Sequence, residues 1–361
     1  MLLLLMACTD NVKDTADHQI LESESTSGCR SGQPPTEQPE LLLFSTPYTE
    51  DAGQTPLWRS AIIENTLTLM TETLDLGRAI SGSPQFSTDA SWGVVVREDG
   101  LISTIAVDSN AAVTPIEVGR DLGIYVAAAA IHRGGEELWL LDPNWPENGG
   151  GLYRSQIDCD DGRLSAPELL FSTKNAAAMI DTVDGLWIAA READGAPGQA
   201  HLLGISGLRT AQIFGDDEAI LSDIARTNSG RIVVADVNEF SGLPTRIGWL
   251  NSDGSTGTLN VGDPLRLLAS PLDDSMLILS GYDNAVYVFD GAELSEPSYQ
   301  GAAPQLPTAA VGFSDGRVYI AENQGIRGMR FTESGVVDDG LLLEMDGLSG
   351  ITGALGGTHS R

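Results

Sequence analysis

The feature that most constrains this chain is a short apolar phrase that returns at a nearly fixed interval. Gly93-Val94-Val95-Val96, Leu138-Trp139-Leu140-Leu141, Leu186-Trp187-Ile188-Ala189, Ile232-Val233-Val234-Ala235, Leu277-Ile278-Leu279-Ser280 and Val318-Tyr319-Ile320-Ala321 recur about every 41–48 residues. Each is β-branched or aromatic. Most follow a turn pair: Asp184-Gly185, Ser229-Gly230, Asp273-Asp274 or Asp315-Gly316. Apolar runs bounded by turn residues read as strands. A period in the forties with several strands per unit is the signature of propeller blades.

Upstream of these phrases lie runs rich in small residues: Ala127 to Ile131, Ala176 to Ile180, Ile220 to Ala225, Leu265 to Ala269 and Thr308 to Gly312. Small side chains suit the crowded inner strand of a blade. Thr245 to Asn251 and Gly257 to Val261 supply a third and a fourth strand in one unit. The unit is therefore four antiparallel strands. At the ends, Ile351 to Gly357 reads as an inner strand with nothing after it. Leu41 to Phe44 reads as a second strand with none before it, and Ser60 to Glu64 and Thr66 to Leu74 follow. The expected architecture is all-β: a seven-bladed β-propeller of four-stranded antiparallel blades. Six units are complete, and the last blade is shared between the N- and C-terminal segments. Such lacing removes a weak edge. No capped amphipathic helix stands out.

The first residues impose a second constraint. Leu5-Met6-Ala7-Cys8 resembles a bacterial lipobox, with Ala7 before the cut and Cys8 lipidated. The apolar run Leu2 to Ala7 is too short to span a bilayer, which takes about 20 residues. No basic residue precedes it, as a full secretory signal would require, so the signal reads as truncated. Residues 9–39 are rich in Asp, Glu, Ser, Gly and Pro and predict a disordered acidic tether. The domain reading is thus 1–8 signal, 9–39 tether and 40–361 propeller. The expected location is the bacterial envelope, at the outer membrane or cell surface.

Charge narrows the partners. The chain has 51 acidic against 20 basic residues, a formal net charge of −31, and only Lys13 and Lys174 as lysines. That excludes a phosphate-binding surface for nucleic acid and a body that adheres to anionic lipid. Contact with the membrane is expected through the lipid alone, and the body is expected to be monomeric. Cys29 and Cys159 remain besides Cys8. An exported compartment permits them to pair, and two free thiols are the alternative.

Asp223 to Asp236, running Asp-Ile-Ala-Arg-Thr-Asn-Ser-Gly-Arg-Ile-Val-Val-Ala-Asp, resembles the NHL repeat, and Ala309 to Glu322 is a second copy. Both are also similar to repeats of gluconolactonase-like (SMP-30-type) and streptogramin-lyase-like propellers. The gluconolactonase resemblance implies a divalent cation held by carboxylates and amides at the hub, and such oxygen ligands suit Ca²⁺ or Mg²⁺. Asp181 and Asp223 are the candidate ligands, with Asn175 and Glu64 as further residues near a channel mouth. The lyase resemblance implies a channel histidine, and His132 is the best placed of His18, His132, His201 and His359. No neighbouring Glu or second His accompanies it in sequence, so no residue is assigned as catalytic.

Asp158-Cys159-Asp160-Asp161-Gly162 and Asp142 to Gly149 look like cation loops but lack the ligand spacing of an EF-hand. The first reads as a hairpin turn. The second is an insertion whose Trp145 is a candidate contact residue, since exposed aromatics are frequent anchors. Trp92, Trp139, Trp187 and Trp249 read as core between blades. The sequence holds no Gly-x-Ser-x-Gly elbow, phosphate loop or His-Glu-x-x-His motif. The expected function is a non-enzymatic, lipid-anchored scaffold that binds protein or glycan. The alternative is a cation-dependent hydrolase or lyase of the gluconolactonase type.

Overall fold

The computed structural model describes residues 40–46, 57–64, 66–77, 85–86, 92–97, 99–108, 112–132, 137–143, 150–158, 161–173, 176, 178–182, 185–190, 199–204, 207–214, 219–237, 245–281, 283–345 and 350–354. Cys8, Cys29, Cys159, Trp145 and Asn175, with the signal and the tether, lie outside them.

The described strands form four-stranded antiparallel sheets. The composite sheet takes β1 (Glu40–Thr46), β2 (Leu57–Ile63) and β3 (Leu67–Leu74) from one end of the chain. The first continuous blade is β4 (Gln85–Phe86), β5 (Trp92–Val96), β6 (Ile102–Val107) and β7 (Val113–Arg120). The second is β8 (Ala128–His132), β9 (Glu137–Asp142), β10 (Gly151–Gln156) and β11 (Glu168–Ser172). The third is β12 (Ala178–Thr182), β13 (Gly185–Ala190), β14 (Gln199–Gly204) and β15 (Gly207–Gln212). The fourth is β16 (Leu221–Arg226), β17 (Ile232–Asp236), β18 (Arg246–Leu250) and β19 (Thr256–Asn260). The fifth is β20 (Pro264–Ala269), β21 (Met276–Ser280), β22 (Ala285–Phe289) and β23 (Leu294–Ser295). The sixth is β24 (Ala309–Gly312), β25 (Arg317–Glu322), β26 (Gly325–Thr332) and β27 (Gly335–Glu344). Last comes β28 (Gly350–Ala354), which pairs antiparallel with β1.

Six blades are therefore continuous in the chain, not seven. The expected count of seven included the composite sheet β28-β1-β2-β3, whose inner strand comes from the far end of the sequence. The inner strands touch in the cyclic order β4, β8, β12, β16, β20, β24, β28 and back to β4. This closes the ring.

The burial pattern follows from position in the blade. Second strands are covered on both faces by neighbouring blades, so β5, β17 and β21 are buried at every residue. This is why they read as unbroken apolar runs rather than alternating ones. The fourth strand β19 alternates exposed and half-buried residues, as a strand with one wet face should. The cores lie between blades. Val94, Val96, Leu138 and Leu140 share one seam with Ala129. Leu42, Phe44, Val311 and Ala321 share the seam beside the composite sheet. Burying each Val, Leu or Phe among them contributes about 1.5–3 kcal/mol. Trp92 and Trp139 are buried in seams, and Trp187 and Trp249 pack against them.

Several second strands end in a buried polar residue: Asp142, Asp236, Ser280 and Glu322. Two of these cap the segment that enters the inner strand of their own blade. Asp236 Oδ1 accepts the Ile220 N–H at 2.9 Å, and Glu322 Oε2 accepts the Gln305 N–H at 3.2 Å. Each then draws in an arginine, Arg246 at 3.0 Å and Arg327 at 3.2 Å.

Candidate functional site

An inner strand has a free edge toward the hub, and its backbone N–H groups there need partners. Side chains of the preceding blade supply some of them. Gln85 Oε1 on β4 accepts the Ile131 N–H of β8 at 3.3 Å. Asp223 Oδ2 on β16 accepts the Leu267 N–H of β20 at 2.8 Å, while its Oδ1 accepts the Ile224 N–H at 3.0 Å. Donor and acceptor stand 46 and 44 residues apart, one blade period in each case. Burial pushes the Asp223 carboxyl up, against the pull of Arg266 and of the two N–H groups. Asp223 is thus a staple between blades, with both oxygens engaged.

One cross-blade contact joins two side chains of a different kind. His132 closes β8 and Asp181 lies next to the end of β12. His132 Nδ1 is 2.9 Å from Asp181 Oδ2. His132 and Trp139 lie on one face of their blade, because Ala130 pairs with Trp139 and His132 with Glu137 across the β8–β9 hairpin. Residues two apart on a strand share a face. The imidazole stacks on the Trp139 ring, with centroids 4.0 Å apart and planes at 20°. The Trp139 indole N–H points to Glu137 Oε2 at 3.4 Å. Arg154 on the same face pairs with Glu137 at 3.5 Å and with Glu168 at 2.7 Å. The Asp181 Oδ1 atom is shielded from water and has no hydrogen-bond partner among the described residues.

The pair was missed in sequence because Asp181 is 49 residues from His132. That distance was itself the signal. It is one blade period, and both residues sit where an inner strand turns into its hairpin.

The other candidates are not brought together. Asp181 lies at the hairpin end of its inner strand and Asp223 toward the entry end of the next one. Glu64 is exposed in the outer hairpin between β2 and β3, away from the hub. No group of three or more His, Cys, Asp or Glu able to hold a metal ion occurs among the described residues. At the ends of the run from Asp158 to Gly162, the Asp158 N–H bonds the Arg163 carbonyl at 2.8 Å and the Gly162 N–H bonds the Asp158 carbonyl at 2.7 Å. Asp142 is the buried last residue of β9 rather than the start of a cation loop.

Radial four-stranded blades, a closed ring of inner strands and cores between blades define a β-propeller. Its fold is similar to that of known propellers. A candidate 6-phosphogluconolactonase from Bacteroides fragilis superposes with a TM-score of 0.63 at 12% identity, over 90% of this chain and 100% of that one. A second, from Bacteroides uniformis, gives 0.62 at 12% identity over 88% and 100%. Streptogramin B lyase gives 0.52 at 12% identity over 75% and 87%. At such identities the likeness is one of fold. No protein-family model matches the chain, and no curated protein sequence matches it.

Proposed function

We propose that this chain is an exported propeller, anchored by lipid at Cys8, that holds a protein or glycan partner at the bacterial envelope. One observation carries the choice of binding over cation-dependent catalysis. Asp223 is spent on stapling two blades and Asp181 on holding His132. Loops on the faces of a rigid scaffold are then the natural contact surface, with Trp145 the first residue to test. The Leu5 to Cys8 pattern and the acidic stretch after it support a tether that holds the body off the membrane.

The anchor is tested by metabolic labelling with an alkynyl fatty acid. The full chain should take up label, and C8S should not. A free-thiol count on the unfolded, non-reduced chain tests a Cys29–Cys159 bridge, and reactive thiols at both positions would rule it out. The catalytic alternative is tested by melting the protein in EDTA and in millimolar Ca²⁺. Ligand at 100 times its Kd adds about 2.7 kcal/mol. The binding reading expects no shift. A clear rise with Ca²⁺ would transfer support to a hydrolase or lyase of the gluconolactonase type. Binding itself is measured by cosedimentation of the purified body with envelope fragments, with a Trp145→Ala variant expected to bind more weakly.

A further inference from the structure

We propose that His132 is a general base, positioned by Asp181, for hydrolysis of an uncharged carboxylic ester. This goes beyond the binding reading and does not rest on it. The argument begins with the tautomer. A carboxylate can only accept, so the 2.9 Å contact to Asp181 Oδ2 places the proton on His132 Nδ1 and leaves the Nε2 lone pair without a partner among the described residues. The ring cannot turn freely, because it is stacked on Trp139 while Nδ1 is held. The Asp181 carboxylate, 2.9 Å from Nδ1, stabilises the imidazolium formed when Nε2 takes a proton. A base, an orienting carboxylate and a fixed ring are the parts that proton abstraction needs.

The charges around the pair among the described residues set the substrate class. Asp181 and Glu137 are acidic, and Arg154 is held between Glu137 and Glu168. An anionic substrate would meet carboxylates, so a phosphorylated or carboxylated ester is disfavoured. In the reaction, Nε2 takes a proton from water as the water oxygen bonds to the acyl carbon. The bond from that carbon to the alcohol oxygen then breaks, and the alkoxide recovers the proton from the imidazolium. Ester and water give acid and alcohol, with no oxidant or reductant.

The test uses the purified full chain with 4-nitrophenyl acetate as the neutral ester and the 4-nitrophenyl monoester of succinate as the anionic one. The neutral ester should show saturable turnover above that of free imidazole at equal concentration, and the anionic one at least about tenfold less. His132→Ala should lose about 100-fold or more in kcat/KM. Asp181→Asn should lower kcat at least about tenfold with KM unchanged, and Asp181→Glu should restore part of it. Histidine ¹⁵N spectra, assigned by the His132→Gln variant, should show a protonated Nδ1 and a bare Nε2 at His132, a signature that Asp181→Asn abolishes. A melting curve for each variant separates loss of base from loss of fold. A neutral-ester rate no higher than free imidazole, or a rate that His132→Ala retains, overturns the proposal. Envelope binding without turnover would leave the scaffold reading standing and remove this one.

Discussion

Arg327 illustrates how a single residue can be committed to structure. Its side chain is 2% exposed, with Glu322 and Asp338 fully buried beside it. It bonds Glu322 at 3.2 Å, both oxygens of Asp338 at 2.8 and 3.1 Å, and the Ala302 carbonyl at 2.7 Å. Asp338 also accepts the N–H groups of Gln300 and Gly340. Burial pushes the Glu322 carboxyl up, and Arg327 opposes it. One cation thus serves two buried acids. Removing it by Arg327→Met leaves both carboxylates without their counter-charge, and breaking a buried pair costs about 3–5 kcal/mol. Chemical denaturation should show a loss of that size. A loss below about 1 kcal/mol would mean that the network is dispensable. Nothing in the sequence singled Arg327 out, because its partners lie 5 residues before and 11 after on different strands.

At the scale of the element, the inner strands decide both ring stability and site geometry. Asp223 staples β16 to β20, and replacing it with Asn keeps one acceptor but turns an NH₂ toward a backbone donor. The cost of an unmet buried donor is about 1–3 kcal/mol. The pH dependence follows from the raised carboxyl. The folded chain holds the Asp223 proton to higher pH than the unfolded chain, whose ordinary value is about 3.9. Stability from this group is therefore full below that value and falls as pH rises toward the raised one. Asp223→Asn lacks the titration, so the stability gap between parent and variant should narrow as pH rises through that window. Urea unfolding at a series of pH values measures this, and a gap that widens would contradict it. The strands themselves were legible in the sequence. The expected inner runs Ile220 to Ala225 and Thr308 to Gly312 match β16 and β24 to within a residue or two at each end. Second strands were legible because both faces are buried and their central positions are apolar. The inner-strand partnerships were not, since hydrogen bonds to a neighbouring blade leave no local pattern.

For the whole molecule, closure is the decisive event. β28 pairs with β1 from Leu41–Ala354 to Ser45–Gly350. Arg317 of β25 reaches Glu40 of β1 at 2.7 Å, across 277 residues of sequence. Leu42 and Phe44 then pack with Val311 and Phe313 of the last continuous blade. Removing residues 350–361 should strip the inner edge from β1 and open the ring at this seam. The shortened chain should melt well below the parent and associate in size-exclusion chromatography, because an unpaired β1 edge invites pairing with other chains. A monomer of unchanged melting temperature would show that the lacing contributes little.

The sequence by itself determined the class of fold, the blade period and the composite closure. These rest on local rules: apolar runs for strands covered on both sides, Asp and Gly for turns, small residues for the hub. Tertiary structure alone decided which polar residues meet. It placed Asp181 against His132 and turned Asp223 toward β20. It also gave Arg327 two buried acids and left Glu64 in an outer hairpin. The physical reason is that strand formation depends on residues within a turn or two. Contact across a seam depends on the height and facing of residues in separate blades, which only the packed ring fixes.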